Sequence, residues 1–270
     1  MAPLSVEPGA ATMASLPDAD TPVLALIDQL EARARRGDAR AACRLGVELL
    51  RCREDGQQAR VHDLLQSSVD GRGGEAAEFE VDMLARMQER AEASTRRCAG
   101  ITADHWRHAI DYQLLAAERG SARMRLWYAA EPALDPMFFL DNLEEWARYR
   151  AVAWTYIQEA MVAGVPEAPA MLARVYLPAD AVHAGGMALR RPDAFQHFVH
   201  AELDRLLNPP PERPEPLPPG WFDPAPRPGP DIDMALVHAE VERLRQRYFS
   251  GHVADQDGVK SSGLFTAGSD

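Results

Sequence analysis

Apolar residues recur at helical spacing through most of this chain, and β-branched residues never gather into strand-like runs. The pattern predicts a first helix opened by Thr21-Pro22 and running through Arg35. Further helices are expected over Asp38–Arg53, Gly56–Val69, Glu75–Thr95, Ala103–Arg119, Ser121–Ala130, Leu140–Ala163 and Pro166–Tyr176. Glu131-Pro132 and Asp135-Pro136 interrupt the series with a longer loop, and Leu177-Pro178 closes it. Ala184-Gly185-Gly186 is a break. An amphipathic helix then follows from Pro192 to Leu207, carrying Phe195, Phe198, Val199, Leu203 and Leu206. Asn208 to Pro230 is proline-rich around Trp221 and Phe222 and reads as extended chain. A last helix over Asp231–Phe249 places Ile232, Leu236, Val237, Val241, Leu244 and Tyr248 at helical spacing. The expected organisation is therefore a disordered segment 1–20, a helical array 21–178, an appended helix 179–207, a proline-rich linker 208–230, a C-terminal helix 231–250 and a disordered tail 251–270.

The junctions between helices repeat. Gly37, Gly73, Gly120 and Gly164 each stand where one helical pattern ends and another begins, and Asp38, Glu75, Ser121 and Pro166 follow as helix starts. A residue just past a helix C-terminus often takes the left-handed conformation, which glycine adopts at least cost. Four residues after each glycine stand Ala41, Ala77, Met124 and Ala168; eight after stand Leu45, Val81, Tyr128 and Leu172. Positions four and eight share a helix face, so a mostly small residue and a large one recur on the same surface. Spacings between the glycines are in the range of helical repeat arrays.

The block Ala34, Gly37, Asp38, Ala41, Leu45 and Gly46 resembles the Sel-one-like repeat, a relative of the tetratricopeptide repeat. So do Tyr112, Ala116, Ala117 and Gly120, and a third set of Trp154, Ala160, Gly164, Ala168, Leu172 and Tyr176. The resemblance covers roughly residues 22 to 178. It implies an all-α protein, an α/α superhelix with a concave surface that binds a protein or peptide and no chemistry of its own. By analogy with tetratricopeptide-type arrays, Arg40, Arg44, Glu48, Glu80, Arg123, Trp127 and Arg174 are expected on the concave side as exposed binding positions. Arginine with tryptophan is a composition suited to a peptide or an acidic surface.

Some extracytoplasmic members of that family join helix pairs by disulfides, which bears on Cys43, Cys52 and Cys98. Cys43 and Cys52 lie about 13 Å apart along one helix and cannot bridge. Cys52 and Cys98 fall near the same end of an up-down-up unit, so in an oxidising compartment they are the pair to join. The alternative is three buried thiols, Cys43 foremost among them.

Charge narrows the partners. The net charge of −12, from 29 basic and 41 acidic residues, opposes non-specific binding to nucleic acid or anionic membrane. Lys260 is the only lysine, so positive charge resides on arginine. No stretch has the apolar length of a membrane span, and residues 1–20 lack the layout of a secretory signal. The chain as given reads as cytoplasmic, or periplasmic if a leader has been removed.

Catalytic signals are absent from the sequence. It carries no G-x-S-x-G, P-loop, H-E-x-x-H or C-x-x-C, and Glu144-Glu145 diverge on a helix. His105 and His108 with Asp104 and Asp111, and separately His197 and His200, share helix faces and read as solvated or partly packed side chains. No enzyme, metal or cofactor is expected. The leading expectation is an interaction scaffold or adaptor. The second is an acidic inhibitor or immunity-type protein that masks a basic partner.

Overall fold

A computed structural model of the chain describes residues 15–53 (less 19), 85–134 (less 87 and 90), 140–177, 189–209 (less 190) and 228–251. The described residues are helical, with no strand among them. We number the helices α1 (Val23–Arg35), α2 (residues 39–53), α3 (residues 91–97), α4 (Ala103–Arg107), α5 (Ala109–Arg119), α6 (Ala122–Ala130), α7 (Leu143–Val162), α8 (Ala168–Val175), α9 (Ala194–Leu207) and α10 (Met234–Tyr248). The expected helix over Gly56–Val69, Glu80, Trp221-Phe222 and both chain ends lie outside the described residues.

One expected helix is two. Ala103–Arg119 divides at His108, whose N–H turns back to the His105 carbonyl three residues earlier (3.2 Å). The cause is local. His105 Nδ1 accepts the Thr102 N–H at 3.0 Å, which fixes a one-turn helix before α5 starts.

Two of the junction glycines do what the sequence asked of them. Gly37 has φ +93° and Gly164 φ +73°, and each closes the same pair of bonds. The glycine N–H donates three residues back, to Ala34 or Met161, and the next N–H five back, from Asp38 to Arg33 or Val165 to Ala160. That is the Schellman arrangement, and it satisfies carbonyls a helix end leaves open. Gly120 corrects the expectation. Its backbone is extended (φ −102°), and its need is space: a β-carbon there would stand 2.2 Å from Met124 Sδ and 2.4 Å from the Ala116 carbonyl. Gly73 lies outside the described residues, while Gly100 is a left-handed glycine (φ +80°) that the junction pattern does not mark.

Helix starts follow their capping residues. Asp38 accepts from the N–H groups of Arg40 and Ala41, Ser121 from Met124, and Asp193 from Gln196. From these junctions the positions four and eight after the glycine all turn inward: Ala41 with Leu45, Met124 with Tyr128, and Ala168 with Leu172 are buried in one apolar core. Buried apolar area of this kind is the main favourable term of the fold. From α5 to α9 each helix packs on the next in chain order.

The C-terminal part keeps that order but changes the direction of its last helix. α9 begins beside the end of α8, where Arg191 and Asp193 donate to the Val175 and Tyr176 carbonyls. It ends beside the start of α8, where Asn208 Nδ2 donates to the Pro166 carbonyl (2.7 Å). So α9 runs antiparallel to α8. α10 ends at the same turn, with the Tyr248 carbonyl against Gly164, and it packs along α9 through Val237, Val241 and Leu244. Two neighbouring helices that finish at one turn run parallel.

Candidate functional site

Three of the seven expected groove residues, Arg44, Glu48 and Trp127, are interior. Arg44 and Glu48, one turn apart on α2, are 4% and 0% exposed. Glu48 Oε1 lies 3.0 Å from Arg44 Nε, 2.5 Å from an Arg97 guanidinium nitrogen and 3.8 Å from one of Arg51. Arg44 also donates to the Asp18 carbonyl. This face of α2 is covered because Cys52, one further turn along, is bonded to Cys98, with Cα atoms 5.6 Å apart. That bond holds the end of α3, and with it Arg97, over Glu48. A carboxylate this deep is tolerated only with such partners. Cys43 is half-buried and takes no part in that disulfide.

Trp127 is likewise buried, at 2% exposure. Its ring reaches α2 at Gly46, where a β-carbon would stand 3.0 Å from Cη2, and Gln113 borders the same point. The Gln113 amide bridges the turn after α6: its nitrogen donates to the Glu131 carbonyl, and its oxygen accepts the Ala133 N–H. Arg44, Glu48 and Trp127 are therefore packing residues and not exposed contacts. Arg123 is half-exposed but engaged by Glu167, in the turn before α8. A parallel pair, Arg125 with Glu159, joins α6 to α7 at 3.1 Å. Of the seven expected positions, Arg174 is exposed and Arg40 half-buried, and Glu80 is outside the described residues.

The histidine pairs separate. His105 and His108 are engaged locally, with Thr102 and with Asp111. Among the described residues no three His, Cys, Asp or Glu side chains gather as a metal site would need. His197 and His200, expected solvated or partly packed, are both 6% exposed. His197 Nδ1 meets the Ala173 carbonyl at 2.9 Å. His200 lies flat on Tyr176, ring centroids 5.6 Å apart and planes 8° from parallel. Tyr176 meets Trp154 edge-on at 6.0 Å, and the Arg191 guanidinium covers Trp154 at 4.3 Å. Burial pushes the His200 imidazole down to about 4; Glu240 on α10 opposes that shift and His197 adds to it. The signal was present in the sequence, since positions 197, 200, 203 and 207 share one face of α9 with Leu203 and Leu207 at 0% and 5% exposure.

A surface no motif announced lies on α7. Leu143, Ala147, Ala151, Thr155, Gln158 and Val162 follow one another at three- or four-residue steps and are all exposed, Leu143 at 51% and Val162 at 64%. From Ala147 to Val162 this strip carries no charge. The Glu144–Arg148 ion pair flanks its upper edge, and Leu140, 78% exposed, extends it past the helix start. On a 20-residue helix the strip is about 30 Å long.

No protein-family model, curated protein or solved structure matches the chain. No helix among the described residues is long and apolar enough to cross a membrane.

Proposed function

We propose that this chain is a non-catalytic interaction scaffold of degenerate Sel-one-like helical repeats that binds a protein or peptide on the outer face of α7. The observation that carries the reading is the uncharged, exposed strip from Leu143 to Val162. An exposed helix face normally carries charge, and an uncharged strip with Leu143 and Val162 at its two ends is a composition suited to burial against a partner. The repeat part rests on the three junctions at Gly37, Gly120 and Gly164, which bury equivalent residues at equivalent offsets.

The test is capture of partners from the native host with wild type, Ala147→Glu, Ala151→Glu and Arg174→Glu. The two alanine positions are exposed, so charge there leaves the fold intact while opposing a dry contact. Recovery of the main partner falling tenfold or more in both supports the α7 face. Undiminished recovery in both overturns it, and loss in Arg174→Glu alone moves the contact to α8.

The net charge of −12 supports a second reading, the acidic inhibitor that masks a basic partner. Binding that weakens steeply with added salt favours it over an apolar contact on α7.

A further inference from the structure

We infer that the exposed strip of α7 pairs with the same strip of a second copy of this chain, antiparallel about a two-fold axis beside Ala153, with Arg148 of each copy against Glu159 of the other; the pairing rests on the proposed contact at α7 and names its occupant.

A helix face meets its own copy well only if its two halves complement each other when one is reversed. On α7 the pairs Leu143 and Val162, Ala147 and Gln158, and Ala151 and Thr155 are each centred within about half a residue of Ala153. Antiparallel pairing therefore brings each of these residues level with its mate on the other copy, and all six are exposed. Leu143 covers Val162 at either end, Ala147 leaves room for the longer Gln158, and the small side chains at Ala147 and Ala151 let the two helices approach closely.

Even spacing alone would give that symmetry to many helices; the charges decide the occupant. Arg148 and Glu159 are centred on the same point and, at about 100° per residue, lie on the same edge of the strip. Under the two-fold axis like edges meet, so the pair of chains gains two Arg148–Glu159 contacts. Each of these side chains already has one partner in its own chain, Glu144 for Arg148 at 3.3 Å and Arg125 for Glu159 at 3.1 Å. Pairing joins them into a row of alternating sign, Glu144 and Arg148 of one copy followed by Glu159 and Arg125 of the other. Like charges do not come level, since Glu144 and Glu145 stand opposite Val162 and Met161, and Arg150 opposite Tyr156. A parallel pairing would instead set Arg148 on Arg148 and Glu159 on Glu159. A partner of another sequence has no need of charges that complement one another across the midpoint of the strip.

One helix face makes a small contact, and the net charge of −12 opposes approach at long range, so the pairing is weak and is sought at physiological ionic strength. The test is sedimentation equilibrium of the full chain, where half of the wild type should be paired near about 100 μM. Arg148→Glu alone and Glu159→Arg alone each place like charges at both contacts of a homodimer, and each should pair at least about tenfold more weakly. Mixed in equal amounts, the two variants form a heterodimer in which both contacts are again opposite in charge, and the mixture should recover wild-type pairing. The double variant in one chain should recover it as well. Both side chains are exposed, so the variants keep the fold, which circular dichroism checks. A wild type that stays monomeric up to about 1 mM, or a mixture that pairs no better than its parts, overturns the inference. Partner capture with Ala147→Glu separates that failure from failure of the α7 contact itself: capture lost in the variant retires the second copy alone, and capture intact retires both.

Discussion

The backbone carbonyl of Tyr248 stands 2.7 Å from the point that a β-carbon on Gly164 would occupy, and Gly164 itself is left-handed at φ +73°. Any side chain there meets both the strain of that conformation and the end of α10. Gly164→Ala is expected to cost about 2 kcal/mol or more, and to raise hydrogen exchange in α10 first. Gly37→Ala meets only the tip of the Arg119 side chain, at 3.0 Å, and should cost about 1 kcal/mol. Denaturant titration of both variants checks the order; equal losses would show that the Tyr248 contact is immaterial.

Glu48 anchors the interior ion cluster. Glu48→Gln strands Arg44 inside the protein and should lower stability by about 3 to 5 kcal/mol. Arg97→Gln leaves Arg44 in place beside the carboxylate and should cost markedly less. A larger loss for Arg97→Gln would place the weight of the cluster on α3 instead.

Acid should weaken the fold through His200. Its imidazole is held near 4 in the folded protein, against an ordinary 6.5, so the unfolded chain binds the proton more tightly. The stabilisation is complete above pH 6.5 and is lost as pH falls from there toward 4, on the order of 3 kcal/mol in total. His200→Phe keeps the stack on Tyr176 and removes the proton site. Unfolding free energies at pH 7, 5.5 and 4.5 should converge on a shallower slope in the variant, and an unchanged slope would refute the assignment.

The Cys52–Cys98 bond spans 46 residues. Loop-closure entropy for that length corresponds to about 4 kcal/mol, so 2 to 4 kcal/mol should be lost on reduction. Thiol titration of the protein unfolded without reductant should find one reactive group, Cys43, and three would contradict the bond. Because Arg97 is the neighbour of Cys98, the double serine variant should also diminish the effect of Glu48→Gln.

Much of this was legible in the chain. Helix limits fell within a few residues of the capping groups that set them, because Asp38, Ser121 and the Schellman glycines act over four or five residues. The groove was not legible. Arg44 and Glu48 stand at i and i+4 whether their face looks at water or at α3, and the residue that settles the matter, Arg97, is 49 positions from Glu48. Trp127 is interior because Gly46 makes room on another helix. The direction of α10 was equally hidden, since a connection of 26 residues permits either sense.

The turn at Gly164–Pro166 gathers more than contacts. α7, α9 and α10 all end there, and α8 begins two residues on. Each helix end carries about half an elementary charge, so three negative ends against one positive sum to roughly one net negative charge at a single vertex. Arginines occupy the last turns of two of the three converging ends, Arg205 in α9 and Arg245 and Arg247 in α10, whereas α7 has none. Arg205 and Arg245 are themselves bound by Glu202 and Glu242, so the vertex keeps its negative character, and a lengthened α10 would carry its negative pole away from the one positive helix end available to balance it.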